Sequence, residues 1–275
     1  MIRRLLILFI GFAAVFHANA QADSIFHFVK DYRGGITDFS VDNLGNLYLV
    51  YQSGQLKKLK PEGDSLAVYN NIRKSGRLHS IDVSNPLKVL LFYKDFSTIV
   101  ILDRFLNERT TLDLRRHNLS QVRTIGQSYD NNIWVFDELE VKLKKIGDDG
   151  RLIDQSNDFR LIFDSAPSPS KIIDQNKFVY LYDPAKGIYS FDYYGGFKGR
   201  IPFTGWSDFN VINNSILGRD SNNLYRYDAG SLQFQQFPVP SFMNEADKIM
   251  ITQGNVYLLK DGVIMVYSFR PRAAN

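Results

Sequence analysis

Six short apolar segments recur along the chain at a nearly constant spacing, and this repeat constrains the fold more than any other feature. They are Asn46-Leu47-Tyr48-Leu49-Val50, Lys88-Val89-Leu90-Leu91-Phe92, Asn132-Ile133-Trp134-Val135-Phe136, Phe178-Val179-Tyr180-Leu181-Tyr182, the weaker Ser215-Ile216-Leu217-Gly218-Arg219, and Asn255-Val256-Tyr257-Leu258-Leu259. Their starts lie about 37 to 46 residues apart, the period of a four-stranded propeller blade. An apolar strand precedes each copy, as in "ITDFSVD" and "LHSIDVS", and a turn with a third strand follows. Five copies continue into a fourth, half-polar strand, whereas the sixth stops after its third, near Phe269. An unpaired strand, "SIFHFV" from Ser24 to Val29, stands before the first copy. Used as the outer strand of the last blade, it completes six blades and closes the ring, leaving only short edges. The expected fold is an all-β six-bladed β-propeller with four-stranded blades. A β-sandwich also has many short strands, but it does not account for a six-fold period with complementary ends.

The apolar distribution agrees with that architecture. Inner strands packed on both faces read as nearly continuous apolar runs, as "NLYLVY", "KVLLFY" and "KFVYLY" do. Asn, Asp and Gly at "DNLGN", "GDDG", "YYGG" and "DAGS" supply the backbone angles that hairpin turns require.

The chain start has a different character. Arg3 and Arg4, an apolar run from Leu5 to Phe16, and small residues around Ala18-Asn19-Ala20 have the layout of a secretory signal peptide cleaved after Ala20. The apolar run is shorter than the roughly 20 residues of a membrane-spanning helix, so no transmembrane span is expected in the mature chain. The domain reading is a signal peptide, 1–20, and a propeller domain, 21–275. Losing Arg3 and Arg4 takes the formal net charge from +4 to +2, which argues against nucleic acid as a partner. The chain contains no cysteine, which excludes disulfides, thiolate metal sites and cysteine nucleophiles.

Asp42, Gly45, Asn46 and Tyr48 in "VDNLGNLYLV" resemble the start of a repeat in the NHL-type and related six-bladed propellers. The likeness is local to the first blade, since Gln52-Ser53-Gly54 and the other blades depart from the pattern. The leader with the fold also resembles the exported propellers of Gram-negative bacteria that serve as periplasmic or outer-membrane accessory proteins, and Gln21 after Ala-Asn-Ala suits that source.

In a propeller, the starts of the inner strands line the central channel. That column reads Asp38, Ser80, Thr124, Lys171, Asp208 and Lys248, and two positions on it reads Ser40, Asp82, Gly126, Ile173, Asn210 and Met250. A metal-dependent hydrolase of the lactonase or gluconolactonase type would need convergent oxygen ligands there, for which Asp38, Asp208 and Asn210 are the candidates. Lys171 and Lys248 oppose a cation. A G-x-S-x-G elbow is absent, and His79 stands alone as a possible base near the mouth.

The loops that enter the inner strands carry a stronger charge pattern. "NNIRKSGR" brings Arg73, Lys74 and Arg77, and "RRHNLSQVR" brings Arg115, Arg116, His117 and Arg123, with no acid in either. Glu245, Asp247 and Asp208 fall in loops of the second half. Together these form a face that is basic on one side and acidic on the other, suited to steering a partner. Trp206, Phe242, Phe159 and Phe163 are expected as exposed aromatic anchors. On the other face, Tyr193 and Tyr194 are ordinary turn residues or a smaller contact. The functional expectation is a non-catalytic interaction module of the cell envelope, without a cofactor, located in the periplasm or at the outer membrane. It would bind an envelope protein or an acidic ligand through the mouth face, with room for a small ligand in the channel.

Overall fold

A computed structural model describes residues 25–269; the signal-peptide reading of residues 1–20 lies outside the described residues. The first strand, β1 (Phe26–Tyr32), precedes six consecutive groups. Blade one comprises β2 (Ile36–Val41), β3 (Leu47–Tyr51), β4 (Leu56–Leu59) and β5 (Ser65–Tyr69). Blade two comprises β6 (Ser80–Asp82), β7 (Lys88–Tyr93), β8 (Thr98–Asp103) and β9 (Glu108–Asp113). Blade three comprises β10 (Val122–Gln127), β11 (Ile133–Asp137), β12 (Lys142–Ile146) and β13 (Leu152–Gln155). Blade four comprises β14 (Lys171–Gln175), β15 (Phe178–Asp183), β16 (Gly187–Phe191) and β17 (Phe197–Ile201). Blade five comprises β18 (Ser207–Ile212), β19 (Ser215–Arg219), β20 (Asn223–Asp228) and β21 (Gln233–Pro238). Blade six comprises β22 (Lys248–Ile251), β23 (Asn255–Lys260) and β24 (Val263–Phe269), with β1 as its outer strand.

The chain is therefore a six-bladed β-propeller whose last blade joins both ends of the described chain. β1 pairs antiparallel with β24 from Phe26 opposite Phe269 to Tyr32 opposite Ile264, with a bulge between Phe28 and Lys30. Phe26 packs edge-on against Phe242, and Phe28 packs against Tyr267, so side chains as well as the ladder hold the closing strand.

The core lies in the six gaps between blades rather than at a single centre. In β3, Tyr48 and Val50 belong to the cluster shared with Val89 and Leu91 of blade two. Leu47 and Leu49, on the opposite face of the same strand, join Tyr257 and Leu259 of blade six. Alternation sends successive side chains to opposite faces, and both faces are buried here, which is why these strands read as continuous apolar runs. The other gaps repeat the arrangement, for example Phe92 with Val135, and Phe136 with Leu181.

Aspartates hold the turns. Asp42 accepts bonds from the Leu44 and Asn46 amides, from Asn46 Nδ2 and from the Tyr48 hydroxyl. Gly45 supplies the positive φ of +80° within that turn, so the Asp-Gly-Asn-Tyr pattern in blade one is a folding device. Asp103, Asp137, Asp183, Asp192, Asp220 and Asp228 accept backbone amides in the same manner.

The closing strand gives a direct test of this architecture. A chain beginning at Gly34 leaves β24 as an exposed edge, and its melting temperature, followed by circular dichroism, is expected to fall by roughly 10 °C or more. An unchanged melting temperature would contradict the closure.

Candidate functional site

The first strand of each blade runs along the central axis, so the residues that begin these strands surround one cavity of about 980 Å³. All six residues of the first column line it, as do Ser40, Asp82, Ile173, Asn210 and Met250 of the second. Gly126 is the exception in the second column. It is pressed against blade four, where an added Cβ would lie 2.9 Å from the Ile172 carbonyl oxygen.

The charged members of the first column reach from blade to blade. Lys248 Nζ donates to Asp38 Oδ1 at 2.6 Å and to the Phe39 carbonyl at 2.8 Å. Lys171 Nζ donates to the Phe209 carbonyl at 2.7 Å, the equivalent bond from blade four to blade five. By that equivalence Asp208 would be the carboxylate partner of Lys171, yet it is turned away. Asp208 sits in an irregular stretch between Ser207 and Asn210 with φ of 54°, a left-handed conformation that Asp tolerates better than most residues. Its Oδ2 accepts Arg219 Nε at 2.6 Å and the Ile249 amide at 2.9 Å. Arg219 is itself anchored by its bond to the Ala246 carbonyl at 2.8 Å.

Lys171 is thus left facing the cavity without an ion-pair partner among the described residues. Its pKa falls to about 8. Loss of bulk hydration inside the ring is the main cause, and Lys248 adds to it, while Asp208, Asp82 and Asp38 oppose it.

Asp38, Asp208 and Asn210, the candidate ligands of the alternative hydrolase reading, are each engaged in bonds within the ring. Asp38 is held by Lys248 and Asp208 by Arg219, and Asn210 Oδ1 accepts its neighbouring Val211 amide at 3.0 Å. Among the described residues no three acidic or histidine side chains cluster to hold a metal ion. The ligand set of the hydrolase reading is taken up by bonds within the ring.

Farther along the channel the wall is acidic. Asp82 Oδ2 accepts the Gln127 amide at 2.8 Å, and its Oδ1 accepts the Ser84 amide and hydroxyl. Asp174 Oδ2 accepts Trp134 Nε1 at 2.9 Å and the Tyr129 amide at 3.1 Å. Asp174 Oδ1 and Gln127 Oε1 are closed to solvent and have no hydrogen-bond partner among the described residues. Burial raises the Asp174 pKa, although the bonds from Trp134, Tyr129, Tyr193 and Ser128 act the other way.

The mouth loops differ from expectation in detail. Arg73, Arg77, Arg115 and Arg116 are exposed, and so is His117. Arg77 has no acidic partner within ion-pair distance among the described residues, Arg115 bonds Asp113 at 3.0 Å, and Arg116 lies 3.7 Å from the same carboxylate. Arg73 donates to the Gln52 carbonyl. His117 leaves the mouth and lies over Gly150 in the β12–β13 turn, so this basic strip runs down the flank of the ring. Arg123 is half-buried and bonded to Glu138 at 2.8 Å and to the Pro169 carbonyl. It belongs to the scaffold. His79 lines the mouth with its pKa lowered, first by the surrounding protein and then by Lys94, with Asp95 opposing and Arg123 and Arg77 contributing.

The aromatic anchors are not exposed as expected. Trp206 is 7% exposed and stacked between Phe203 and Tyr225. Gly218 admits it, because any Cβ there would collide with the indole. Phe242 is half-buried against Phe26 and Tyr267, Phe159 is fully buried against Phe191, and Phe163 packs on Tyr189 and Phe197. Sequence patterning missed Arg219 as a channel-organising residue. The signal was present in the weak fifth repeat, where Gly218 and Arg219 replace the Leu49-Val50 or Leu91-Phe92 of other copies.

No protein-family model matches the chain, and no curated protein matches it by sequence. Its fold is similar to that of virginiamycin B lyase from Staphylococcus aureus, with 12% identity and a TM-score of 0.60 over 89% of this chain and 100% of that one. A streptogramin B lyase is 16% identical with a TM-score of 0.59, over 86% of this chain and 79% of that one. BBS1N, in complex with ARL6DN, is 11% identical with a TM-score of 0.57, over 91% and 98%. These likenesses establish the fold, which propeller enzymes and partner-binding propellers share.

Two substitutions test the channel geometry. Arg219→Gln removes the cation from a largely buried pair, and the expected cost is about 2–4 kcal/mol, measured by denaturant unfolding. A change below about 0.5 kcal/mol would contradict the assigned role. Asp174→Asn tests the acidic wall. A carboxyl whose folded pKa is raised contributes stability below its unfolded pKa, and that contribution is lost as pH rises through the folded value. Thermal unfolding across pH 4 to 7 is expected to show this loss in the native protein and less of it in Asp174→Asn; identical profiles would contradict it.

Proposed function

We propose that this chain is a non-catalytic binding module of the bacterial cell envelope that takes an acidic partner protein on its arginine-bearing loops. The observation that carries the reading is the exposed set Arg77, Arg115 and Arg116 on the loops entering blades two and three. Arg115 and Arg116 share Asp113 at the surface, where an ion pair is worth little. Such side chains can exchange an intramolecular carboxylate for one on a partner at small cost. Arg77 has no such pair to give up. Arginine forks also recognise carboxylates in a geometry that lysine does not reproduce.

The fold supports binding as readily as catalysis, and a propeller of similar fold, BBS1N, is found in complex with another protein. The leader pattern at residues 1–20 supports export, and the proposed partner is a periplasmic or outer-membrane protein. No helix among the described residues is long and apolar enough to cross a membrane.

The test is partner capture from detergent-solubilised envelopes of the source cell, comparing the native protein with the triple variant Arg77→Glu, Arg115→Glu, Arg116→Glu. Loss of a stoichiometric partner is expected, with a melting temperature within about 2 °C of native, since these side chains are exposed. Retention of every partner by the variant would overturn the proposal.

A further inference from the structure

The two cross-channel lysines occupy equivalent positions but have different surroundings. Lys248 receives both a backbone carbonyl and a carboxylate from the next blade, whereas Lys171 receives the carbonyl alone. Arg219 has taken the carboxylate that the geometry of blade five would otherwise offer. An ammonium without a carboxylate partner among the described residues therefore faces the cavity at one end of the channel.

The other end has the opposite character. Asp82 faces the same cavity from β6 with amide and hydroxyl donors but no ion-pair partner among the described residues, and Asp174 lies on the same wall, its carboxylate bonded to Trp134, Tyr129 and Ser128. In the aligned inner strands Asp82 lies two residues deeper than Lys171, which is roughly 7 Å along a strand.

The geometry points to a binding site in this channel for a short peptide, with its terminal carboxylate on Lys171 and its terminal ammonium toward Asp82. A simple anion would meet the acidic end of the channel, and a simple cation would meet Lys171 and Lys248. A molecule with both charges, separated by several bonds, satisfies each end. The cavity of about 980 Å³ is at the upper end of the usual range for small-molecule sites, and Ile173, Ile212 and Met250 on its wall offer apolar contact to side chains. This site is separate from the arginines of the loops, so its failure and theirs are distinguishable.

Protonation gives the site a pH dependence. Lys171 is faced by Lys248 from β22, Asp208 from β18, Asp38 from β2 and Asp82 from β6, and its pKa is about 8. The carboxylate end should therefore bind progressively more weakly above pH 8.

Triglycine, N-acetyl-triglycine and triglycine amide test the assignment by isothermal titration at pH 7, because they carry both charges, only the anion and only the cation. Triglycine is expected to bind on the order of tenfold more tightly than either blocked form, the scale of one charged hydrogen bond. Lys171→Met should lower triglycine to the level of the amide, and Asp82→Asn to the level of the acetylated form, with the fold of each variant checked by thermal unfolding. Asp82→Asn retains an oxygen for the Gln127 amide, and Lys171→Met carries the test alone if the other variant does not fold. No binding of triglycine at millimolar concentration, equal binding of all three probes, or native affinity in folded Lys171→Met would overturn the proposal.

Discussion

A ring of sheets must close on itself, and here closure depends on the pairing of β1 with β24. Each blade is stable only because its two faces are buried by neighbours, so an open ring would expose an apolar face at either side of the break. The β1 strand comes from the beginning of the described chain and the other three strands of its blade from the end, so the ladder between them fastens the ring. The six apolar gaps, the even spacing of the blades and the channel all follow from that one junction.

Closure also determines where polar chemistry can lie. The inner strands converge on the axis, where the channel gives polar side chains a place outside the apolar gaps; others are buried only with a partner, as Lys144 is with Asp137. Most aspartates are used at turns, where they accept backbone amides that the hairpins leave unpaired. A smaller set of charges lines the channel, and several of their bonds run between blades. Lys248 to Asp38, the Ile249 amide to Asp208 and the Gln127 amide to Asp82 each link one blade to its neighbour, while the Arg219–Asp208 pair lies within blade five. Hydrogen bonds of this kind fix the angle between adjacent sheets while the apolar side chains supply most of the burial.

Much of this was legible in the sequence, and the failures have physical causes. The repeat at Leu47, Val89, Ile133, Val179, Ile216 and Val256 gave the number of blades, the inner columns and the closing strand, because burial on both faces forces a continuous apolar signature. Exposure of loop aromatics was not legible. Trp206 and Phe159 sit in polar-looking loops, but the loops fold over the outer parts of the gaps and bury them. Nor does the pattern show that Arg123 faces Glu138, since the two are brought together only by the β10–β11 pairing. The direction of Asp208 was hidden for a different reason. It depends on a left-handed φ at one residue in a strand irregularity, and the partner that holds it there, Arg219, occurs in the repeat least like the others.

The distinctive consequence is an ammonium at Lys171 that the ring does not neutralise, and it can be observed directly. Lysine side chains labelled with carbon-13 at Cε report each titration by nuclear magnetic resonance, with Lys171→Met identifying the signal. The account predicts that the Lys171 signal titrates near pH 8, well below the ordinary lysine value of 10.5. A Lys171 signal that titrates at the ordinary value would mean that the ammonium is hydrated or paired like any surface lysine, and would contradict the account of the channel.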